Sequence, residues 1–295
     1  MDYRKLAKLF TSSTINKVAK GDFINIYSAI ANYPVLKDCE TIQEVYDESY
    51  KLLCKYYPNE YVLKNTIANK ILLGRYSMKT ASMLSELRVG SNKADCVIIN
   101  GVSTCYEIKT KYDSLKRLSD QLSTYSKAFD HTYVVIHDSH LDEIMSMYLE
   151  NPIFGVIVFT ERNSLSEKIV APKSEFFNSE IMFHTLRKEE YTDIIREITG
   201  KELSCSSVEL FEKCKDVFCS LKQEEANKEF KRVLKEYRRN DHLFVGRLPK
   251  SMKNLGISFK ISERNKSIIA ASLVNCDTLK KEKMNVLPVY ERKAI

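Results

Sequence analysis

Three acids and a lysine fall within a short stretch of this 295-residue chain: Glu86, Asp95, Glu107 and Lys109. Carboxylate oxygens are the ligands that Mg²⁺ prefers, and Asp95 and Glu107 supply them together with the carbonyl of Ile108. A bound divalent ion lowers the pKa of its water and neutralises charge on a phosphodiester, while a neighbouring ammonium such as Lys109 orients that water. These residue types therefore predict metal-assisted phosphodiester hydrolysis.

A β-hairpin is predicted to carry most of these groups. Residues 96–99 and 104–109 are rich in β-branched and aromatic side chains, and the dipeptide Asn100-Gly101 lies between them. Side chains alternate along a strand, so Glu107 and Lys109 must share one face.

The face taken by Asp95 depends on the register of that hairpin. A two-residue turn sets Asp95 on the face away from Glu107. A three-residue loop over residues 99–101 pairs Asp95 with Cys105 and gathers Asp95, Glu107 and Lys109 on one face. We predict the three-residue loop, because a slip by one residue buries a carboxylate and a lysine among apolar side chains.

The order of these motifs has a counterpart among known nucleases. Asp95 opens one strand, Glu107-Ile108-Lys109 lies in the next, and Glu86 precedes both. This pattern resembles the PD-(D/E)XK nuclease superfamily over about residues 60–160, although Ala94 stands where the proline of that name would be. The segments E-L-R-V-G at 86–90, K-A-D at 93–95, Y-E-I-K-T at 106–110 and D-S-L at 113–115 are similar to an uncharacterised bacterial family assigned to that superfamily.

The resemblance implies a role for each of these residues. In the superfamily the Asp and the Glu hold Mg²⁺ or Mn²⁺ and the Lys serves catalysis, which assigns Asp95, Glu107 and Lys109. An acid on the first core helix completes the metal site in many relatives. Here that acid is Glu86, which we predict at the end of a helix over about residues 60–84.

A helix predicted over about residues 114–129 follows the second strand of the hairpin. It presents Arg117, Gln121 and Tyr125 at four-residue spacing. In related nucleases a helix at this point carries a Gln or a basic residue facing the substrate, so Gln121 joins the catalytic set and the other two the substrate-binding set. The alternative for Gln121 is an ordinary exposed helix position.

Two basic residues flank the acids and are predicted to bind substrate. Arg88 and Lys93 can each meet a substrate phosphate, or can pair with Glu86 or Asp95.

The remaining elements predict an α/β fold. Residues 132–136 and 154–159 read as buried strands, and a helix over residues 141–149 separates them. With the hairpin and its helices, this order predicts a sheet covered by helices, and the resemblance implies a restriction-endonuclease-like core with a mixed sheet. The predicted domains are an N-terminal helical region (1–58), the nuclease-like core (59–173) and a mainly helical, basic C-terminal region (174–295).

The net charge of +7 favours polyanionic partners only mildly, since 29% of residues are charged and both signs occur. The excess is concentrated in a helix predicted over residues 221–239. Its cations are Lys228, Lys231, Arg232, Lys235, Arg238 and Arg239. Such a run can track a phosphate backbone. Interleaved Glu224, Glu225, Glu229 and Glu236 make a solvated helix face the alternative.

The composition predicts a cytoplasmic protein. No stretch is long enough for a transmembrane helix, the N-terminal residues lack the apolar segment of a secretory signal, and the eight cysteines include no Cys-x-x-Cys pair. We therefore expect no membrane association.

Two functions from different classes remain open. One is an Mg²⁺-dependent endo- or exonuclease acting on DNA, in host defence or on a mobile element by family analogy, as a homodimer if it cuts both strands. The other is a catalytically silent protein that kept the nuclease fold and binds nucleic acid or a partner protein.

Overall fold

The computed structural model describes residues 1–201, 206–275 and 279. Its helices in chain order are α1 (Tyr3–Ala7), α2 (Ser12–Ala19), α3 (Ile24–Asn32), α4 (Ile42–Tyr56), α5 (Glu60–Ile67), α6 (Leu73–Arg75), α7 (Leu118–Ser126), α8 (Leu141–Glu150), α9 (Ser179–Thr185), α10 (Lys188–Thr199), α11 (Ser207–Ser220), α12 (Gln223–Tyr237), α13 (His242–Arg247), α14 (Lys253–Ser258) and α15 (Glu263–Val274). The strands are β1 (Ser82–Val89), β2 (Asn92–Ile99), β3 (Ser103–Lys109), β4 (His131–His137), β5 (Gly155–Phe159) and β6 (Leu165–Ile169). A π-helical turn, Ala68–Leu72, joins α5 to α6.

The chain divides into two compact units, one of residues 1–65 with 241–295 and one of residues 66–240. This grouping differs from the predicted division at 58/59 and 173/174. The difference has a physical reason, since α9 to α12 share a hydrophobic cluster with β1 to β3 and so belong to the sheet-containing unit.

The first unit is helical in the residues that the structure describes. Helix α15 packs against α2 and α4. An aromatic cluster lies within this unit, where the ring of Phe10 stacks on Tyr61 and meets the edge of Tyr46. The Tyr61 hydroxyl donates to the carbonyl of Ser251 at 2.6 Å, which ties the two parts of this unit together.

The second unit is built on a six-stranded mixed sheet with the order β1-β2-β3-β4-β5-β6. Strands β1, β2 and β3 are antiparallel neighbours, β3, β4 and β5 run parallel, and β6 is antiparallel to β5. Parallel neighbours need crossover connections, and α7 and α8 provide them. The α/β class and the mixed sheet flanked by helices are therefore confirmed.

Two hydrophobic clusters bury this sheet. One joins β1 to β3 with α7 and with α9 to α12, and its fully buried members include Val97, Tyr125, Phe183, Phe218 and Phe230. The other joins β4 and β5 with α7 and α8. Helix α7 contributes to both clusters, so its face is held tightly against the sheet.

The first strand corrects the prediction for Glu86. A helix over residues 60–84 was expected, but the helical segment ends at Arg75 and residues 82–89 form β1. Glu86 therefore lies within a strand and not at the end of a helix. Pairing with β2 along the length of β1 outweighs the helical preference of the local sequence.

The hairpin register is also corrected. Ile99 pairs with Ser103 and Cys96 with Tyr106, so the loop consists of residues 100–102 and not 99–101. It has three residues as predicted, but the shift brings Asp95 opposite Glu107 and not opposite Cys105. The register differs from the predicted one by two residues, an even number. Each side chain therefore lies on the sheet face that was predicted for it.

No helix within the described parts of the chain is long and apolar enough to cross a membrane. The six cysteines that the structure describes form no disulfide with one another.

Candidate active site

Glu107, Lys109 and Gln121 form a closed hydrogen-bonded group beneath α7. Lys109 Nζ lies 2.8 Å from Glu107 Oε1 and 2.9 Å from Gln121 Oε1. The Gln121 amide also donates to Glu107 Oε1 at 2.6 Å. The three residues are only 2%, 7% and 6% exposed. The period of two in β3 and the helical period of α7 therefore bring together three residues predicted as catalytic.

The second carboxylate oxygen of Glu107, Oε2, is buried and has no hydrogen-bond partner among the described residues. Burial raises the pKa of Glu107 above its usual range, and Lys109, Tyr125 and Gln121 offset this only in part. A buried carboxylate oxygen without a donor is costly to keep in a folded protein. Glu107 Oε2 is therefore an oxygen that a cation can contact.

Asp95 lies on β2 next to the point where its pairing with β3, the strand that carries Glu107, is interrupted. The regular pairing of β2 with β3 stops at Cys96, and Asp95 Oδ2 accepts a hydrogen bond from the Ile108 N–H at 2.8 Å. The carboxylate thus takes the place of a backbone acceptor. Burial raises the pKa of the Tyr125 hydroxyl, and the negative charges of Glu107 and Asp95 raise it further.

Glu86 breaks the regular alternation of β1. Its φ of 56° lies in the left-handed region, which a glutamate seldom adopts. As a result Leu84 and Leu87, three residues apart, both lie in the same hydrophobic cluster. Such an irregularity re-aims a side chain. A carboxylate oxygen of Glu86 lies within 4.8 Å of one of Asp95, so the two acids lie together as predicted.

The predicted substrate-binding residues fall in different environments. Lys93 forms an ion pair with Glu86, which is one of the two alternatives considered for it. Arg88 is exposed on β1, and Arg117 is exposed at the N-cap of α7. Tyr125 is fully buried, and its hydroxyl has no hydrogen-bond partner among the described residues. Tyr125 thus belongs to the buried group, whereas Arg88 and Arg117 remain at the surface.

A turn directly after Lys109 was not predicted as part of the site. The N–H and hydroxyl of Thr110 donate to Asp113 Oδ2 at 2.8 and 2.7 Å. His140 Nε2 lies 2.9 Å from the Thr110 carbonyl, which makes it the donor. These contacts fix the end of β3 and hence the backbone that carries Lys109. The spacing Thr110-x-x-Asp113 was the available sequence signal, since such pairs stabilise turns.

The sequence was compared with protein families, with curated proteins and with solved structures. Residues 55–258 match the model of the family described as bacteriophage P4 protein cII. The chain belongs to this family. Protein cII of Enterobacteria phage P4 is 26% identical over 212 residues, which cover 68% of this chain and 77% of that protein. No solved structure matches the chain. The range shared with the P4 cII family contains every residue of the predicted site.

In this member of the P4 cII family the donor set suits a hard divalent cation. Glu86 and Asp95 offer carboxylate oxygens within 4.8 Å of one another. Glu107 is not a member of that group, and its unpartnered Oε2 is a further oxygen that a cation can contact. No His or Cys side chain is needed to complete such a set. The carbonyl of Ile108 stays a predicted ligand, because the contact seen for Ile108 is through its N–H.

Proposed function

We propose that this P4 cII family member is a metal-dependent nuclease that hydrolyses phosphodiester bonds in DNA. The observation that carries the proposal is the buried Glu107, with one oxygen bound to Lys109 and Gln121 and the other without a partner. A purely structural carboxylate at this depth would be expected to use both oxygens. Asp95 on the neighbouring strand supplies the second carboxylate.

Asp95 and Glu107, with Glu86 and the Ile108 carbonyl, would hold Mg²⁺ or Mn²⁺. When bound, such an ion supplies Lewis acidity and a water of lowered pKa. Lys109 uses two of its three ammonium protons on Glu107 and Gln121, which leaves one donor for a substrate phosphate or an attacking water. Gln121 is a positioning residue, because it accepts from Lys109 and donates to Glu107 at once.

The order of elements supports a restriction-endonuclease-like core for this unit. Antiparallel β1, β2 and β3, the crossover helix α7 and parallel β4 follow one another along the chain. Asp95, Glu107 and Lys109 come from the inner strands β2 and β3, and Glu86 comes from the edge strand β1. This agrees with the resemblance to the PD-(D/E)XK superfamily. The phage origin of the P4 protein supports action on, or for, a mobile element. A homodimer stays a prediction.

The test is cleavage by the full-length protein of labelled duplex DNA, single-stranded DNA and RNA, with Mg²⁺ or Mn²⁺ and with EDTA. We expect metal-dependent cutting of DNA that is lost in Asp95→Ala and in Lys109→Ala. Glu175→Gln is the matched control, because Glu175 is exposed and its side chain makes no hydrogen bond or ion pair within the described residues.

One observation favours the second candidate, a catalytically silent protein that binds nucleic acid or a partner protein. The Lys109 ammonium already has two good acceptors and is nearly buried, as a structural lysine would be. Binding without cleavage, unchanged in Asp95→Ala and Lys109→Ala, would select this reading over the nuclease.

A further inference from the structure

The cations of α12 divide into two groups that the sequence alone did not distinguish. The cations of the first group, Arg232 and Arg238, form ion pairs with acidic side chains. Arg232 contacts Glu229, Asp193 and Glu236. Arg238 makes a two-pronged contact with the fully buried Glu190. These arginines tie α12 to α10 and have little capacity left for a ligand.

The second group consists of Lys228, Lys235 and Arg239. None of the three makes an ion pair or a hydrogen bond with any residue that the structure describes. Their spacing of seven and four residues places them along one side of the helix and just beyond its end. At 1.5 Å per residue, Lys228 and Lys235 are about 10 Å apart along the axis.

These three cations line a groove of about 350 Å³. Its other wall is formed by Ile99 and Gly101, at the end of β2 and in the β2–β3 loop. The remaining lining residues are Glu224, Lys231, Arg232 and Glu236. Five cations and two acids line the groove, so it carries an excess of positive charge.

A single buried carboxylate joins the two walls of this groove. Asp130 accepts hydrogen bonds from the Ser103 N–H at 2.7 Å, from Asn227 at 2.8 Å and from Lys231 at 2.9 Å. Ser103 directly follows the β2–β3 loop, and Asn227 and Lys231 belong to α12. The groove therefore has a fixed width set by buried contacts and is not an accidental gap between side chains.

We propose that this groove binds the phosphate backbone of double-stranded nucleic acid, through Lys228, Lys235 and Arg239. Unpaired cations repeating along a helix match the regular charge of a duplex. The groove has no aromatic side chain on which the bases of a single strand could stack, and no exposed apolar centre of the kind that protein interfaces use. Binding here is independent of sequence and does not require that the chain cleave its ligand.

The test is the salt dependence of binding, measured by fluorescence anisotropy with a short labelled DNA duplex and the full-length protein in EDTA. EDTA removes metal-dependent cleavage, so failure of the nuclease proposal leaves this readout intact. The groove variant is K228Q/K235Q/R239Q. The matched control is K168Q/K188Q/K213Q, which changes the charge equally at three exposed lysines that do not line the groove.

Loss of three phosphate contacts should make the negative slope of log K against log salt less steep by about 2.7. Between about 50 and 200 mM salt, the affinity of the unmodified protein should therefore fall about 40-fold more than that of the groove variant. The control should match the unmodified protein, and melting temperatures should show that all three proteins are folded.

Equal slopes in the groove variant and the control would overturn the proposal. Parallel titrations use single-stranded DNA of the same sequence, double-stranded RNA and poly-L-glutamate. Binding of RNA and DNA duplexes alike supports recognition of the backbone. Tighter binding of the single strand, or binding of poly-L-glutamate that the groove variant loses, would overturn it in favour of a different ligand.

Discussion

Two buried carboxylates in the sheet-containing unit, Asp130 and Glu107, are each contacted by a lysine, and they differ in how their oxygens are used. Both oxygens of Asp130 accept hydrogen bonds, from Ser103, Asn227 and Lys231. Only one oxygen of Glu107 does so.

The two pKa values shift in opposite directions. Burial opposes the ionisation of Asp130, but the hydrogen bonds from Ser103, Asn227 and Lys231 outweigh it and lower the pKa of this acid. Burial dominates at Glu107 and raises its pKa, despite Lys109. The comparison separates a carboxylate whose two oxygens are both bonded within the fold from one that keeps an oxygen without a partner among the described residues.

The largest effect is expected from Glu107→Gln on catalysis. The amide oxygen can still accept from Lys109 and Gln121, but the negative charge for the metal is lost. We expect cleavage to fall about 10³-fold, or about 4 kcal/mol in the activation free energy. The free energy of unfolding should fall as well, by about 3 kcal/mol, because the buried Lys109 ammonium loses its counter-charge. Cleavage rates and urea denaturation measure the two. A loss of stability without any loss of cleavage per folded molecule would make Glu107 a second structural acid.

The same isosteric change at Asp130 should destabilise the fold without a comparable loss of cleavage. In Asp130→Asn an amide N–H₂ must face the donors Asn227 or Lys231, and the buried lysine loses its counter-charge. We expect a loss of about 3 kcal/mol in the free energy of unfolding, measured by urea denaturation. At saturating DNA, cleavage per folded molecule should remain within about twofold, since Asp130 contacts none of Glu86, Asp95, Glu107 and Lys109. A selective loss of cleavage would contradict the distinction drawn above.

The lowered pKa of Asp130 fixes the sign of a pH effect. Its stabilising contribution is present above the pKa of an unfolded Asp, about 3.9, and is lost as the pH falls through the lower value in the folded state. The stability gap between the unmodified protein and Asp130→Asn should therefore narrow as the pH falls below about 4. Urea denaturation at a series of pH values measures this gap. A gap that stays constant into acid would show that Asp130 is not ionised in the folded protein.

The smallest effect is expected at the exposed pair of Lys93 and Glu86, whose side chains are 62% and 42% exposed. Lys93→Ala should change the free energy of unfolding by less than about 1 kcal/mol, because exposed pairs gain little in water. It frees Glu86, so metal-dependent cleavage should be retained or modestly increased. A loss of cleavage at low salt only, rescued by Lys93→Arg, would instead assign Lys93 to phosphate binding.

Much of the sheet was predictable from local patterns. The strands of the hairpin, β4, β5 and helix α8 were each predicted from runs of β-branched residues or from helical spacing, and the structure confirms them. The grouping of Glu107 with Lys109 follows from the alternation of a strand, and that of Gln121 with Tyr125 from the helical repeat. Once a segment forms a strand or a helix, its repeat alone determines which of its residues share a face.

Strand β1 and the hairpin register were not predictable in the same way. Residues 82–89 become a strand only because β2 lies beside them, and the loop at residues 100–102 is selected by pairing along the whole hairpin. The left-handed conformation of Glu86 arises within that pairing as well. Each depends on partners that the local sequence does not contain.

The sequence by itself therefore determined which chemical groups this protein brings to one sheet face, because side-chain period and residue type are local properties. Only the tertiary structure decided which of those groups are still available. In the folded protein Arg232 and Arg238 form ion pairs, and both oxygens of Asp130 accept hydrogen bonds. Glu107 Oε2 and the cations Lys228, Lys235 and Arg239 have no polar partner among the described residues. Whether a side chain keeps a free donor or acceptor depends on contacts with residues far away in the chain, and these contacts form only when the chain folds.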